Sequence, residues 1–184
     1  LDGAPHDSNF AYAYAKRMLE VQSRAYHQQY NRKYTCVIPC NVYGKHDNFS
    51  LEDGHVIPAL IHQCYLSKLN GTAFVVKGTG KPLRQFIEAN DLAKLMLWVL
   101  FEYEGNEPIM LTNQEEVSIE TVARLIAKAF DHTQVQFDSS FSDGQFKKTA
   151  CCNSSLLHVQ FTSMEEGIKN TVEWFKANYN TCRK

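Results

Sequence analysis

The sequence predicts an α/β fold built on a parallel sheet. Helical patterns alternate with short apolar runs, and a long helix from about Phe10 to Gln29 leads into the run Tyr34–Pro39. This run is nearly all apolar or β-branched and is bounded by polar residues and a proline, which is typical of a strand buried on both faces of a parallel sheet. A helix that feeds such a strand is half of a β-α-β repeat. The 184 residues suit a single domain with a sizeable core.

The other elements continue this alternation. Asp7-Ser8-Asn9 offers cap candidates for the first helix, Asn90 or Asp91 is expected to cap the third, and Ser118 the fourth. The patterns predict helices over about 10–29, 55–70, 92–103, 118–130, 153–157 and 163–178, strands over 34–39, 73–76, 84–87, 107–112 and 135–137, and loops over 39–49 and 138–148.

Composition excludes several classes of function. The formal net charge of −1 provides no field to attract nucleic acid or an anionic membrane. No apolar run approaches the ~18 residues of a membrane span. The six cysteines form no C-x-x-C pair, so we expect reduced structural thiols and no metal site. The opening residues, Leu1–Pro5, read like an interior segment, and we expect a piece of a longer chain.

Tyr12 and Lys16 are the first candidates for chemistry. They stand four residues apart in the first predicted helix, so they share one face. An ammonium beside a phenol favours the phenolate form, and a positioned tyrosine can transfer a proton as general acid or base. Tyr14 faces elsewhere, because it lies only two residues from Tyr12.

The loop 39–49 is the second candidate site. It follows a predicted parallel strand and is rich in Asn, His, Asp and aromatic residues, and ligands bind outside the carboxyl ends of such strands. No glycine-rich dinucleotide fingerprint is visible in this chain, because Gly78-Thr79-Gly80 does not open a helix.

Several motifs resemble a known enzyme family. Tyr12-x-x-x-Lys16 resembles the catalytic motif of the extended short-chain dehydrogenase/reductases. Four longer runs, 39–49, 54–61, 78–86 and 142–148, resemble the GDP-L-fucose synthases within that group, and the likeness extends over the whole sequence. The resemblance implies the C-terminal part of a Rossmann-like fold plus an α+β substrate-binding lobe. Residues 1–50 would be the last part of the cofactor domain, and residues 51–184 mainly the nucleotide-sugar lobe.

The same resemblance implies an activity. GDP-L-fucose synthases epimerise C3 and C5 of GDP-4-keto-6-deoxy-D-mannose and reduce its C4 ketone with NADPH. The ketone acidifies the protons on both neighbouring carbons, so an acid/base residue can invert each centre. The resemblance further implies a cytoplasmic homodimer that pairs through the Tyr12 helix.

Roles follow by resemblance for individual residues. Tyr12 would protonate the C4 oxygen, Lys16 would bind the nicotinamide ribose, and His55 would be the acid/base near the cofactor. Arg84 would hold the diphosphate, as a forked cation can. The nicotinamide wall would be Pro39, Cys40, Asn41 and Val42, and the further substrate contacts would be Gln63, Lys77, Asp143 and Lys148.

The sequence also departs from the family. A basic residue is usual at Gln63 and a tryptophan at Lys77. The family's glycine-rich loop, catalytic serine and epimerisation cysteine precede the Tyr12 position and lie outside this sequence. We therefore expect no turnover from this chain alone.

Two alternatives stay open. The chain could be a non-catalytic module that binds a nucleotide sugar through Arg84 and Lys148 or pairs with a subunit through the Tyr12 helix. It could also belong to an epimerase or dehydratase of UDP or dTDP sugars, against which the runs 46–49 and 143–148 argue.

Overall fold

A computed structural model describes residues 3–151 and 159–184. After a short 3-10 helix at Asp7–Asn9, five α-helices alternate with nine short strands in this part of the chain. The helices are α1 (Phe10–Tyr30), α2 (Val56–Asn70), α3 (Ala89–Glu102), α4 (Ile119–Ala129) and α5 (Met164–Asn178). The strands are β1 (Val37–Pro39), β2 (Asn41–Tyr43), β3 (Phe74–Lys77), β4 (Leu83–Arg84), β5 (Phe86–Glu88), β6 (Ile109–Leu111), β7 (Val117–Ser118), β8 (Val135–Asp138) and β9 (Lys147–Lys148).

The predicted parallel pairing is confirmed. β1 pairs with β6, β2 with β5, and β3 with β8, all in parallel. β4 lies in the middle of a three-stranded sheet, antiparallel to β7 and parallel to β9. Because β1 and β2 are separated only by Cys40, the same stretch of chain contributes to two sheets and carries the site residues between them.

Three strands were predicted as loop or left unassigned. β2 and β9 fall inside the two predicted loops, and β7 overlaps the predicted cap Ser118. Runs of two or three residues are too short to show a period in sequence, and tertiary pairing decides their conformation. The predicted helix 153–157 lies outside the described residues.

Helix caps agree with the sequence at α4 and differ at α3. The Ser118 hydroxyl accepts from the Thr121 amide, as predicted. The cap prediction of Asn90 or Asp91 was wrong, because α3 starts earlier and the Glu88 carboxylate accepts from the Asn90 amide. Asp91 is instead buried at 4% exposure, and its carboxylate accepts from the Thr162 amide at 2.6 Å.

The core divides into two clusters of buried side chains. The larger joins α2, α4, α5 and β3, and the smaller joins α3 to β1, β5 and β6. α1 contributes to neither, since it has no buried residue. Within the described residues, no helix is both long enough and apolar enough to cross a membrane.

Candidate active site

A cleft of about 750 Å³ lies between α1, the segment 36–43, the start of α2, and the neighbouring strands β4 and β9. Residues far apart in sequence meet there. Nine of the predicted site residues line it: Tyr12, Lys16, Pro39, Cys40, Asn41, Val42, His55, Arg84 and Lys148.

One wall comes from α1. The Lys16 ammonium lies 5.6 Å from the centroid of the Tyr12 ring, so both side chains share the face that borders the cleft. Tyr14 instead lies beneath Arg17, whose guanidinium carbon is 5.8 Å from its ring centroid. The four-residue spacing therefore places an ammonium beside the phenol ring at the border of the cleft.

The stretch where β1 ends and β2 begins forms a second wall. The Cys40 amide donates to the Leu111 carbonyl at 3.3 Å, and the Asn41 side-chain amide donates to the Gln85 carbonyl at 2.7 Å. Burial raises the pKa of the Cys40 thiol, although a main-chain hydrogen bond at Asn113 acts in the opposite direction. The thiol is therefore protonated near neutral pH and forms part of the wall rather than a thiolate nucleophile.

His55 stands where α2 begins. It is the N-cap residue, with extended backbone angles (φ −66°, ψ 168°), yet its side chain does not cap the helix. The imidazole is exposed and borders the cleft. A histidine at the border of a cleft is a candidate for proton transfer to a bound ligand.

Arg84 and Lys148 supply positive charge to the opposite side. β4 and β9 run in parallel, and their register sets Arg84 directly beside Lys148, with neighbouring strands about 4.8 Å apart. The Arg84 guanidinium also donates to the Leu83 and Gln145 carbonyls, each at 2.7 Å. Two adjacent cations fit an anionic group such as a diphosphate.

Three predicted substrate residues do not line the cleft. The Gln63 side-chain amide donates to the Val75 carbonyl at 2.6 Å, which ties α2 to β3. The Lys77 ammonium lies 5.0 Å from the centroid of the Phe141 ring. Asp143 accepts hydrogen bonds from the Thr79 hydroxyl at 2.6 Å and the Thr79 amide at 2.7 Å, and these bonds lower the pKa of its carboxyl group. The substrate contacts predicted for these residues stay predictions.

The sequence reasoning missed other residues of the cleft. Glu20 borders it one turn beyond Lys16, and Cys36 borders it just before β1. The spacing of four that joins Tyr12 to Lys16 also reaches Glu20, so the same rule could have identified it. Among residues 3–151 and 159–184, no group of three His, Cys, Asp or Glu side chains could hold a metal ion.

The chain is similar to a known enzyme family and to individual members of it. The sequence pattern of the NAD dependent epimerase/dehydratase family matches residues 1–111. The whole chain is 49% identical to the GDP-L-fucose synthase of Dictyostelium discoideum, of which it covers 59%, and 47% identical to the probable GDP-L-fucose synthase of Drosophila melanogaster, of which it covers 61%.

The chain also resembles a protein of known structure. All of the chain superposes on 60% of a GDP-L-fucose synthetase from Naegleria fowleri bound to NADP, with a TM-score of 0.94 and 48% identity. The chain therefore spans about three fifths of the length of the relatives that it matches.

Proposed function

The chain belongs to the NAD dependent epimerase/dehydratase family, and from its similarity to GDP-L-fucose synthases along its whole length we propose that it is part of such an enzyme. The whole enzyme would convert GDP-4-keto-6-deoxy-D-mannose to GDP-L-fucose by epimerising C3 and C5 and reducing C4. The observation that carries the proposal is the cleft, where Tyr12 and Lys16 from α1 meet His55 from α2 and the cations Arg84 and Lys148.

The proposed chemistry assigns two proton carriers. His55 borders the cleft without capping its helix, so its imidazole can exchange protons with the carbons beside the ketone. The Tyr12 phenol donates a proton to the C4 oxygen as that oxygen becomes an alkoxide. Lys16 lies next to the Tyr12 ring and stabilises the phenolate left behind.

The cofactor of this proposal is NADPH. Its reduced nicotinamide supplies the hydride for the reduction of C4. The residues present fit the nicotinamide half of such a molecule. Lys16 brings a cation that can donate to ribose hydroxyls. The segment Pro39–Val42 forms a largely apolar wall where the parallel strand β1 ends and β2 begins. The synthetase from Naegleria fowleri that shares this fold is described as bound to NADP.

The nucleotide sugar would bind through its diphosphate. Arg84 and Lys148 lie side by side across β4 and β9, and a forked guanidinium next to an ammonium binds phosphate oxygens strongly. A calorimetric titration of the chain with GDP, then NADPH, then both tests the assignment. We expect GDP to bind with a higher affinity than UDP, and Arg84→Met to weaken that binding.

Each other outcome of the titration has a meaning. A preference for UDP would move the chain to the related epimerases or dehydratases. Absence of GDP binding by the folded chain would refute the nucleotide-sugar site. Binding of GDP with no effect of Arg84→Met would place the diphosphate elsewhere.

The whole enzyme is also proposed to be a homodimer that pairs through α1. Phe10, Tyr14 and Met18 recur every four residues along α1 and are each more than half exposed, at 56%, 51% and 51%. Such an apolar stripe is a surface that a second helix can cover. Sedimentation analysis should show a dimer that Met18→Glu converts to monomer, and a wild-type monomer at all concentrations would refute the pairing.

A cytoplasmic location is proposed on the state of the cysteines. Cys36, Cys40, Cys64, Cys151 and Cys182 are free thiols in the part of the chain that is described, which is typical of a reducing compartment. Fractionation of cells that produce the protein tests this, and recovery from a secretory compartment would contradict it.

A further inference from the structure

We propose that Gln85 is a positioning residue, which holds the segment that carries Lys148 against the strand that carries Asn41. Gln85 lies between β4 and β5 and is buried at 4% exposure. This inference rests on the proposed function, because it deepens the role of the cleft in binding a nucleotide sugar.

The Gln85 side chain makes a two-point bond to one residue. Its Nε2 donates to the Ala150 carbonyl at 3.0 Å, and its Oε1 accepts from the Ala150 amide at 2.8 Å. Both ends of the buried amide are therefore satisfied by the main chain of one residue, in the way that a strand neighbour would satisfy them. Ala150 is two residues beyond Lys148, so this bond fixes the end of the segment that presents the ammonium.

The Gln85 main chain binds the opposite wall of the cleft. Its carbonyl accepts from the Asn41 amide at 3.3 Å and from the Asn41 side-chain amide at 2.7 Å. One residue thus joins the wall proposed for the nicotinamide to the segment proposed for the diphosphate. The distance between Asn41 and Lys148 is therefore set through Gln85, without requiring a direct contact between the two residues.

The other restraints on the main chain around Lys148 are few in the described part of the structure. β9 has only two residues, Lys147 and Lys148, and pairs with β4 over that length alone. The Arg84 guanidinium holds the carbonyls that precede β9, at Gln145 and Phe146. On the far side of Lys148, Gln85 anchors the main chain at Ala150. Glu116 holds only the flanking side chains, Lys147 through an ion pair of 2.7 Å and Thr149 through a hydrogen bond. Loss of that anchor releases one end of a short strand and broadens the positions available to the ammonium.

The test is a double-mutant cycle read by GDP affinity. Gln85→Met keeps the side-chain length and removes both polar atoms. We expect it to weaken GDP binding about tenfold, because binding must then order a Lys148 ammonium that is no longer held in place. In a Lys148→Met background the same change should weaken binding less than about twofold, because residues that act through one another are not additive. An equal loss in both backgrounds would show that Gln85 does not act through Lys148.

A matched control separates positioning from stability. Thr171→Val removes a buried side-chain hydrogen bond, the 2.8 Å bond to the Gly167 carbonyl in α5, and should leave GDP affinity unchanged at a comparable loss of unfolding free energy. Gln85→Asn, which keeps the amide and shortens its reach, serves if the methionine variant does not fold. GDP affinity equal to the wild type in a folded Gln85 variant would overturn the inference.

Hydrogen exchange keeps the inference separate from the proposed function. The amides of Lys148 and Ala150 should lose protection in the Gln85 variants and keep it in Thr171→Val. If the wild type fails to bind GDP, the proposed function fails, while unchanged protection at these amides would overturn the positioning role on its own.

Discussion

Gly78 is the point where the turn after β3 meets the late loop, and replacing it by alanine tests that contact. Its backbone has φ +93°, a region that favours glycine, and a Cβ at this position would lie 2.5 Å from the Asp143 Oδ1 atom. The same Asp143 carboxylate accepts from the amide and hydroxyl of Thr79. The methyl group of an alanine would therefore displace the contact that joins the two loops.

The magnitude follows from comparison with a second glycine. Gly71 ends α2 at φ +63°, and no atom lies within 4 Å of the Cβ that an alanine would add. Gly71→Ala should therefore cost only the backbone term, about 1 kcal/mol. Gly78→Ala should cost that amount plus roughly 1–3 kcal/mol for a methyl group forced into filled space, so we expect a total of about 3 kcal/mol.

Urea unfolding followed by circular dichroism measures both variants. In an Asp143→Ala background, the cost of Gly78→Ala should fall towards that of Gly71→Ala, because the obstructing oxygen is gone. Equal destabilisation by the two glycine variants, or an unchanged cost in the Asp143→Ala background, would refute the steric argument.

Three further predictions concern the core, the response to acid and the cleft. Phe175→Ala should lower the free energy of unfolding by about 3–5 kcal/mol, because Phe175 is fully buried in the larger cluster; a loss below about 1 kcal/mol in urea unfolding would contradict that packing. Burial alone would raise the pKa of the Asp91 carboxyl group. Hydrogen bonds from Thr162 and the Lys94 ammonium together outweigh that effect, so the pKa lies below its usual range. The Asp91 carboxylate therefore stabilises the fold above the unfolded-state pKa of about 4, and this contribution is lost as the pH falls through the folded-state pKa. Asp91→Asn should make the free energy of unfolding fall less steeply in acid than it does in the wild type. The same dependence on acid in both proteins would contradict the prediction. Tyr12→Phe should change the unfolding free energy by less than about 0.5 kcal/mol, because the Tyr12 side chain is 60% exposed, and a larger loss would place its hydroxyl in a structural role.

Long elements and spaced motifs were accessible from sequence for a physical reason. The first helix was predicted over 10–29 and runs over Phe10–Tyr30, because a 21-residue helix repeats its pattern many times. Tyr12 and Lys16 were paired by spacing alone, and the structure shows their side chains on one face. The Ser118 cap followed from a single local hydrogen bond.

Contacts between distant segments were not accessible. Gln85 reads as an ordinary polar residue between Arg84 and Phe86, and nothing local indicates that it reaches Ala150, 65 residues away. Glu88 caps α3 because β5 runs directly into the helix. Asp91, which the sequence offered as a cap, is buried and accepts a hydrogen bond from the Thr162 amide instead. Such choices depend on which segments the fold brings together, and local propensity does not report that.

A GDP titration of the isotope-labelled chain, followed residue by residue by nuclear magnetic resonance, tests the proposed diphosphate site. The diphosphate should lie between Arg84 and Lys148, in the cleft that Tyr12 and His55 also border. We expect the largest amide shifts at residues 84–86 and 146–150. Shifts confined to the separate polar pocket around Asp91 and Lys94, or no shifts at millimolar GDP, would contradict it.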